Sequence, residues 1–61
     1  MCLAVPGKLT TVFHDSDLLM GTVKFGGITK RVCLEAVPQA RVGEYVLVHV
    51  GYALSVLDEA E

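Results

Sequence analysis

Apolar and polar residues alternate with a period of two through most of this 61-residue chain. That period is typical of half-buried β-strands, whose successive side chains point to opposite faces of a sheet. The clearest pair of strands runs from Met20 to Phe25 and from Ile28 to Cys33, separated by Gly26-Gly27. Two glycines can supply the positive φ angles that a type I′ turn requires at both central positions, so the pattern predicts a tight hairpin.

A turn at Gly26-Gly27 fixes which residues of the hairpin face each other, beginning with Phe25 opposite Ile28. The face predicted to join the core carries Val23, Phe25, Ile28 and Val32. The face predicted to meet solvent carries Thr22, Lys24, Thr29 and Arg31. Lys30 breaks the pattern, because it is a charged residue opposite Val23 on the predicted core face.

Three further segments are predicted to be strands: Leu9 to Phe13, Tyr45 to Val50 and Ala53 to Leu57. The first ends at a polar turn over residues 14–17, and the longest connection, residues 35–41, has room for a single helical turn. About five short strands in a chain of this length predict an all-β fold, a small closed or nearly closed barrel, because closure removes exposed sheet edges.

The charge and hydrophobicity of the chain make some classes of partner less expected than others. Five Lys and Arg against seven Asp and Glu give a net charge of −2, which provides no basic field for nucleic acid. No apolar run approaches the roughly 20 residues that cross a bilayer, and no secretory signal is recognisable, so we expect a cytoplasmic protein without membrane contact. Because 52% of the residues are hydrophobic, more than so small a core can bury, we also expect an exposed apolar patch that binds a partner.

The N-terminus carries the most unusual chemistry. Cys2 follows the initiator methionine, whose removal would leave a thiol and a free α-amine on one residue. An ammonium beside the sulfur favours the thiolate, which is a soft metal ligand. Pro6-Gly7 predicts a turn that holds the segment from Cys2 to Val5 away from the barrel. Cys2 and Cys33 lack the Cys-x-x-Cys spacing of zinc sites, and we expect Cys33 to be a packed strand residue.

Residues 1–9, MCLAVPGKL, resemble the start of the NiFe-hydrogenase maturation chaperones of the HypC/HybG/HupF type. Their signature reads Met-Cys-aliphatic-small-aliphatic-Pro-small-basic-aliphatic, and every position matches. Residues 43–53, GEYVLVHVGYA, resemble the second marked segment of that family. The resemblance implies one domain over residues 1–61 with an OB-like barrel and no enzymatic activity. Members usually continue into a C-terminal helix, so we expect at most a stub of that helix before Glu61.

The resemblance also implies what the chain does. It would bind an iron-sulfur scaffold protein of the HypD type and the apo large subunit of a NiFe hydrogenase, helping to assemble and deliver an Fe(CN)2CO centre. Cys2 would be the contact residue in both complexes, with Leu3, Pro6 and Lys8 beside it. Cys2 and His49 would hold the iron, with its CN and CO ligands, only transiently, so no cofactor is expected to be permanently bound.

Spacing alone leaves alternatives open. The alternation places His49 on the strand face of Tyr45 and Leu47, where a lone histidine is more often a surface residue than a ligand, and His14 lies in a predicted polar turn.

An OB-like barrel can also bind single-stranded nucleic acid, but that function needs interleaved basic and aromatic residues, and the chain has two Phe, two Tyr and no Trp. A thiol enzyme with Cys2 as nucleophile and His49 as base would lack a third, orienting group.

Overall fold

The chain forms a barrel of five strands in a computed structural model, which describes residues 4–57. The strands are β1 (Val5–Asp15), β2 (Leu18–Phe25), β3 (Ile28–Cys33), β4 (Tyr45–His49) and β5 (Tyr52–Leu57). They close in the order β1-β2-β3-β5-β4, and the described residues contain no helix. The predicted all-β barrel of five short strands is therefore confirmed. Residues 58–61, where a helix stub was expected, lie outside the described part. No membrane-spanning helix is present within residues 4–57.

The β2–β3 hairpin has the predicted register, with Phe25 opposite Ile28 and Val23 opposite Lys30. Its turn differs from the prediction, because only Gly26 has a positive φ, of 61°. Positive φ at the first central position alone fits a type II′ turn rather than type I′. The core assignment of Ile28 was also wrong: its side chain is 59% exposed, since this end of the hairpin extends beyond the core.

Pro6-Gly7 does not form the predicted turn but lies inside β1. Residues 5–8 of β1 pair with β4, and the pairing with β2 begins only at Lys8. Pro6 therefore has a neighbouring strand on one side only, which a residue without an N–H tolerates. The long-range ladder with β4 outweighs the local preference of Pro-Gly for a turn.

Two connections are also tighter than predicted. His14 and Asp15 belong to β1, and the turn that follows is confined to Ser16-Asp17. In the connection before β4, the Val37 N–H donates to the Leu34 carbonyl and the Ala40 N–H to the Val37 carbonyl, each at 3.0 Å. These are two successive turns rather than the expected helical turn. They bury Leu34, Val37 and Ala40 three residues apart in the core.

The core is aliphatic and draws on every strand. Its fully or largely buried members are Leu9, Val23, Val32, Leu34, Val37, Ala40, Val46, Val48 and Ala53. Gly7 lies against this cluster: a Cβ there would be 2.4 Å from Val23 Cγ1 and 2.7 Å from Phe25 Cε1. Separations this short are severe overlaps, so the absence of a side chain at Gly7 lets β1 pack against β2.

We expect Gly7→Ala to lower the free energy of unfolding by about 1–3 kcal/mol, because the added methyl group overpacks the core against Val23. Gly27→Ala is the matched control, since no atom lies within 4 Å of its Cβ position and its φ is not left-handed. Urea denaturation measures both. Equal stability of the two variants would contradict the role given to Gly7.

Gly26→Ala should cost about 1–2 kcal/mol relative to Gly27→Ala, because only Gly26 has the left-handed φ that a Cβ disfavours. Both Cβ positions have no atom within 4 Å, so the comparison isolates the backbone effect. Thermal unfolding followed by circular dichroism provides the measurement. A larger loss at Gly27 would show that the turn has the opposite geometry.

Candidate functional site

The outer face of the β1–β4 pair collects the sequence-predicted site residues that the structure describes. Pro6 pairs with Leu47 and Lys8 pairs with Tyr45. Directly opposed residues of an antiparallel pair share a face, and residues two apart on a strand do as well. His49 follows Leu47 by two residues, so it shares this face, while Val46 and Val48 are buried on the inner side. The predicted outward orientation of His49 is therefore confirmed.

His49 ends β4 at the point where the N-terminal segment enters the barrel. Val5 pairs with Val48, so Ala4 and His49 occupy the next positions along the two strands. The side chain of His49 is half-buried, and on its other side β4 pairs it with Tyr52 of β5, which is 59% exposed. Cys2 and Leu3, the other predicted site residues, lie outside the described residues.

Lys8 lies at the opposite end of this face, and the structure gives it a neighbour that sequence reasoning missed. Lys24 of β2 is directly opposite Lys8, and both are exposed. Within residues 4–57 the only ion pair joins Arg31 to Asp15, at 2.8 Å, so neither lysine has a carboxylate partner there. Like charges directly across a ladder destabilise it, and an anionic partner group would relieve the repulsion. Only the β1–β2 register, which the sequence pattern did not fix, reveals the pair.

The same face contributes two residues with apolar surface that were not predicted to be site residues. Tyr45 is 44% exposed, and Leu47 is partly buried. Pro6 and Leu47 give the centre of the face an apolar character, with His49 at one end and Tyr45 beside Lys8 at the other. This arrangement of apolar surface flanked by polar groups is typical of a protein contact rather than a catalytic cleft.

Metal binding on this face would need donors from outside the described residues. No group of three or more His, Cys, Asp or Glu within residues 4–57 is close enough to hold an ion. Cys33 is a free thiol at the end of β3, 9% exposed and part of the interior, which confirms its prediction as a packed strand residue. His14 is exposed towards the far end of β1, seven residues from Gly7 along the strand.

Comparison with known proteins identifies the family. The model of the HupF/HypC family matches residues 1–61 of the chain. The chain belongs to the HupF/HypC family. It is 52% identical over 61 residues to the hydrogenase maturation factor HypC of Synechocystis, covering 97% of this chain and 80% of that protein. The HypC of Escherichia coli K12 is 43% identical over 67 residues, covering all of this chain and 70% of that protein.

A third relative, the HypC of Cupriavidus necator, is 41% identical over 61 residues, which span all of this chain and 64% of that protein. In this HupF/HypC chain, the two segments that carry the resemblance in the sequence, residues 1–9 and 43–53, contribute to paired strands. The N-terminal motif ends within β1, and the second motif contains β4 and its turn. The β1–β4 ladder therefore places the two motifs side by side, although 33 residues separate Leu9 from Gly43 in the sequence.

Proposed function

We propose that this chain is a hydrogenase maturation factor that acts as a non-enzymatic assembly chaperone. It binds an iron-sulfur scaffold protein of the HypD type and the apo large subunit of a NiFe hydrogenase, and it helps to assemble and deliver the Fe(CN)2CO centre. The relatives at 41–52% identity carry the name hydrogenase maturation factor. The single observation that carries the proposal is the outer β1–β4 face, because Pro6, Lys8 and His49 share it and His49 lies at the end where the N-terminal segment enters.

The reach of the N-terminal segment supports a joint role for Cys2 and His49. Cys2 precedes Ala4 by two residues, which is about 7 Å of extended chain. Ala4 and His49 occupy neighbouring positions at the end of the β1–β4 ladder. A thiol at Cys2 is therefore within reach of the His49 imidazole without any rearrangement of the barrel.

The donor set fits iron as a cargo. A thiolate is a soft ligand and an imidazole a borderline one, a pair suited to a low-spin iron that carries strong-field diatomic ligands. Two protein ligands leave the remaining positions to CN, CO and the partner protein. Such a centre is held weakly enough to be passed on.

Partner binding uses the rest of the face. The N-terminal segment after Cys2 contributes Leu3, Pro6 and Lys8 to the proposed contact. The fold adds Tyr45 and Leu47, which lie across the ladder from Lys8 and Pro6. The lysine pair, Lys8 and Lys24, offers two positive charges to an acidic group of the partner. The proposed contact is thus an apolar strip with the lysine pair at one end and His49, a proposed iron ligand, at the other.

Cys2→Ala should abolish co-purification with the scaffold and the large-subunit precursor while the melting temperature stays at the wild-type value, because Cys2 precedes the barrel. Cys33→Ala is the matched control and should behave in the opposite way. Its thiol is buried, so the variant should melt earlier yet keep both partners. Affinity pull-down and circular dichroism test both variants. Retention of both partners by Cys2→Ala would contradict the proposed function.

His49→Ala should reduce the iron that co-purifies with the chain by about tenfold or more while binding to the scaffold remains, since it removes one ligand and little contact area. His14→Ala, at the other histidine, should leave the iron content unchanged, because His14 lies towards the far end of β1. Iron is measured by elemental analysis of the purified complex. Equal iron in the two variants would leave docking through Cys2 as the function of this face and remove His49 from the metal site.

A further inference from the structure

The barrel closes through a narrow seam between β3 and β5. These two parallel strands meet at a single residue pair, Cys33 and Tyr52. The Cys33 N–H donates to the Gly51 carbonyl at 2.8 Å. Within residues 4–57, the rest of β3 pairs with β2 alone. Residues 28–32 therefore form a sheet edge inside an otherwise closed barrel.

The hydrogen bond of Cys33 shows which backbone groups this edge presents. In an antiparallel ladder, alternate residues direct their N–H and C=O groups towards the partner strand and away from it. Because the Cys33 N–H points away from β2, the backbone groups of Arg31 and Thr29 also point away from β2. No backbone group of residues 4–57 pairs with them on that side. They can accept an added strand.

An apolar groove of about 320 Å³ runs between this edge and the β4–β5 turn. Its lining is mainly aliphatic and aromatic, including Val5, Phe25, Ile28 and Val50, and its charged members are Lys30 and Arg31, of which Arg31 is paired with Asp15. Ile28 is 59% exposed and Val50 80% exposed, so the groove leaves apolar surface uncovered. This groove lies on the opposite side of β4 from the outer face that carries His49.

Lys30, the residue that broke the hairpin pattern, points towards this groove. It shares a strand face with Val32, which is buried, and with Ile28, which is exposed. Along β3, this face thus changes from buried at Val32 to exposed at Ile28. Lys30 lies between these two residues, beside the groove. The one ion pair among residues 4–57 does not include Lys30, so its charge is available to a carboxylate.

Val50 is a second irregular residue at the same groove. Its φ is 52° and that of Gly51 is 80°, a pattern that type I′ turns fill best with Asn-Gly. A β-branched residue is disfavoured there, and its 80% exposed side chain gains little from burial. Val50 therefore weakens the turn while presenting an apolar side chain to the groove, and such strain is found where a surface binds something.

We propose that an extended segment of a protein partner adds as a strand to the β3 edge, with apolar side chains in the groove and a carboxylate at Lys30. The proposal rests on the proposed function for the identity of the partner, which is the scaffold; a groove used by the large-subunit precursor and not by the scaffold is an outcome of the test that would overturn it. Charge favours such a partner over a second copy of this chain. Two β3 edges facing each other would bring the Lys30 side chains of both copies together, which is repulsive.

The test measures the affinity of the full chain for each purified partner by calorimetry. Val50→Asn should raise the melting temperature, because it relieves the turn, and should weaken binding by about tenfold. Val42→Asn is the matched control: Val42 is 60% exposed but does not line the groove, so binding should not change. Lys30→Met should weaken binding and reduce its dependence on salt.

Amide hydrogen exchange tests the strand addition itself. The amides of Thr29 and Arg31 should exchange rapidly in the chain alone and at least about tenfold more slowly in the complex. Slow exchange in the chain alone would show that the edge is already occupied, whether the chain is a monomer or a dimer in solution, and would overturn the proposal. If the wild type binds and neither Val50→Asn nor Lys30→Met changes the affinity, strand addition at β3 is overturned while the proposed function stands. Failure of the wild type to bind either partner would overturn the proposed function with it.

Discussion

The fold depends on β1 being shared between two ladders. Lys8 is the residue at which pairing with β4 gives way to pairing with β2. Thr10 is an extra residue in the second ladder, and this bulge bends the strand. Leu9, fully buried beside the bulge, accepts a hydrogen bond from the Gly43 N–H and donates one to the Glu44 carbonyl, each at 2.8 Å. The bend lets one strand serve two neighbours, which closure of a barrel this small requires.

Glycine at position 7 is part of the same constraint. The half of β1 that pairs with β4 crosses the core close to β2, and a side chain there would meet Val23 and Phe25. Pro6, its neighbour, belongs to the outer face. The Pro-Gly pair of the N-terminal motif therefore serves packing with one residue and the candidate partner surface with the other, and both uses follow from its place in a strand.

Closure around β1 leaves the opposite side of the barrel weakly joined. β1 is held by ladders on both sides, whereas β3 meets β5 at one residue pair. The β4–β5 turn at Val50-Gly51 makes β5 begin at Tyr52, opposite the last residue of β3, so no part of β5 lies beside residues 28–32. The unpaired edge of β3 and the groove beside it are thus consequences of where this turn falls, and not of a separate element built for binding.

Local patterns predicted those features that depend on neighbouring residues. The two-residue spacing at Gly26-Gly27 fixed the hairpin register, and alternation placed His49 on the outer face. The Pro6-Gly7 strand was not predictable in this way, because its cause is a ladder with β4 far along the chain. Alternation also states which face a residue joins but not how far the core extends, which is why Ile28 was assigned to the core while its side chain is exposed.

The two proposed surfaces meet at the end of β4, where consecutive residues point to opposite sides. Val48 lines the groove and His49 belongs to the outer face. On β1, Val5 lines the groove one residue after Ala4, which leads back to Cys2. A partner segment in the groove would therefore lie against the ends of β1 and β4, directly behind the outer face that carries His49, so binding at one surface would be felt at the other.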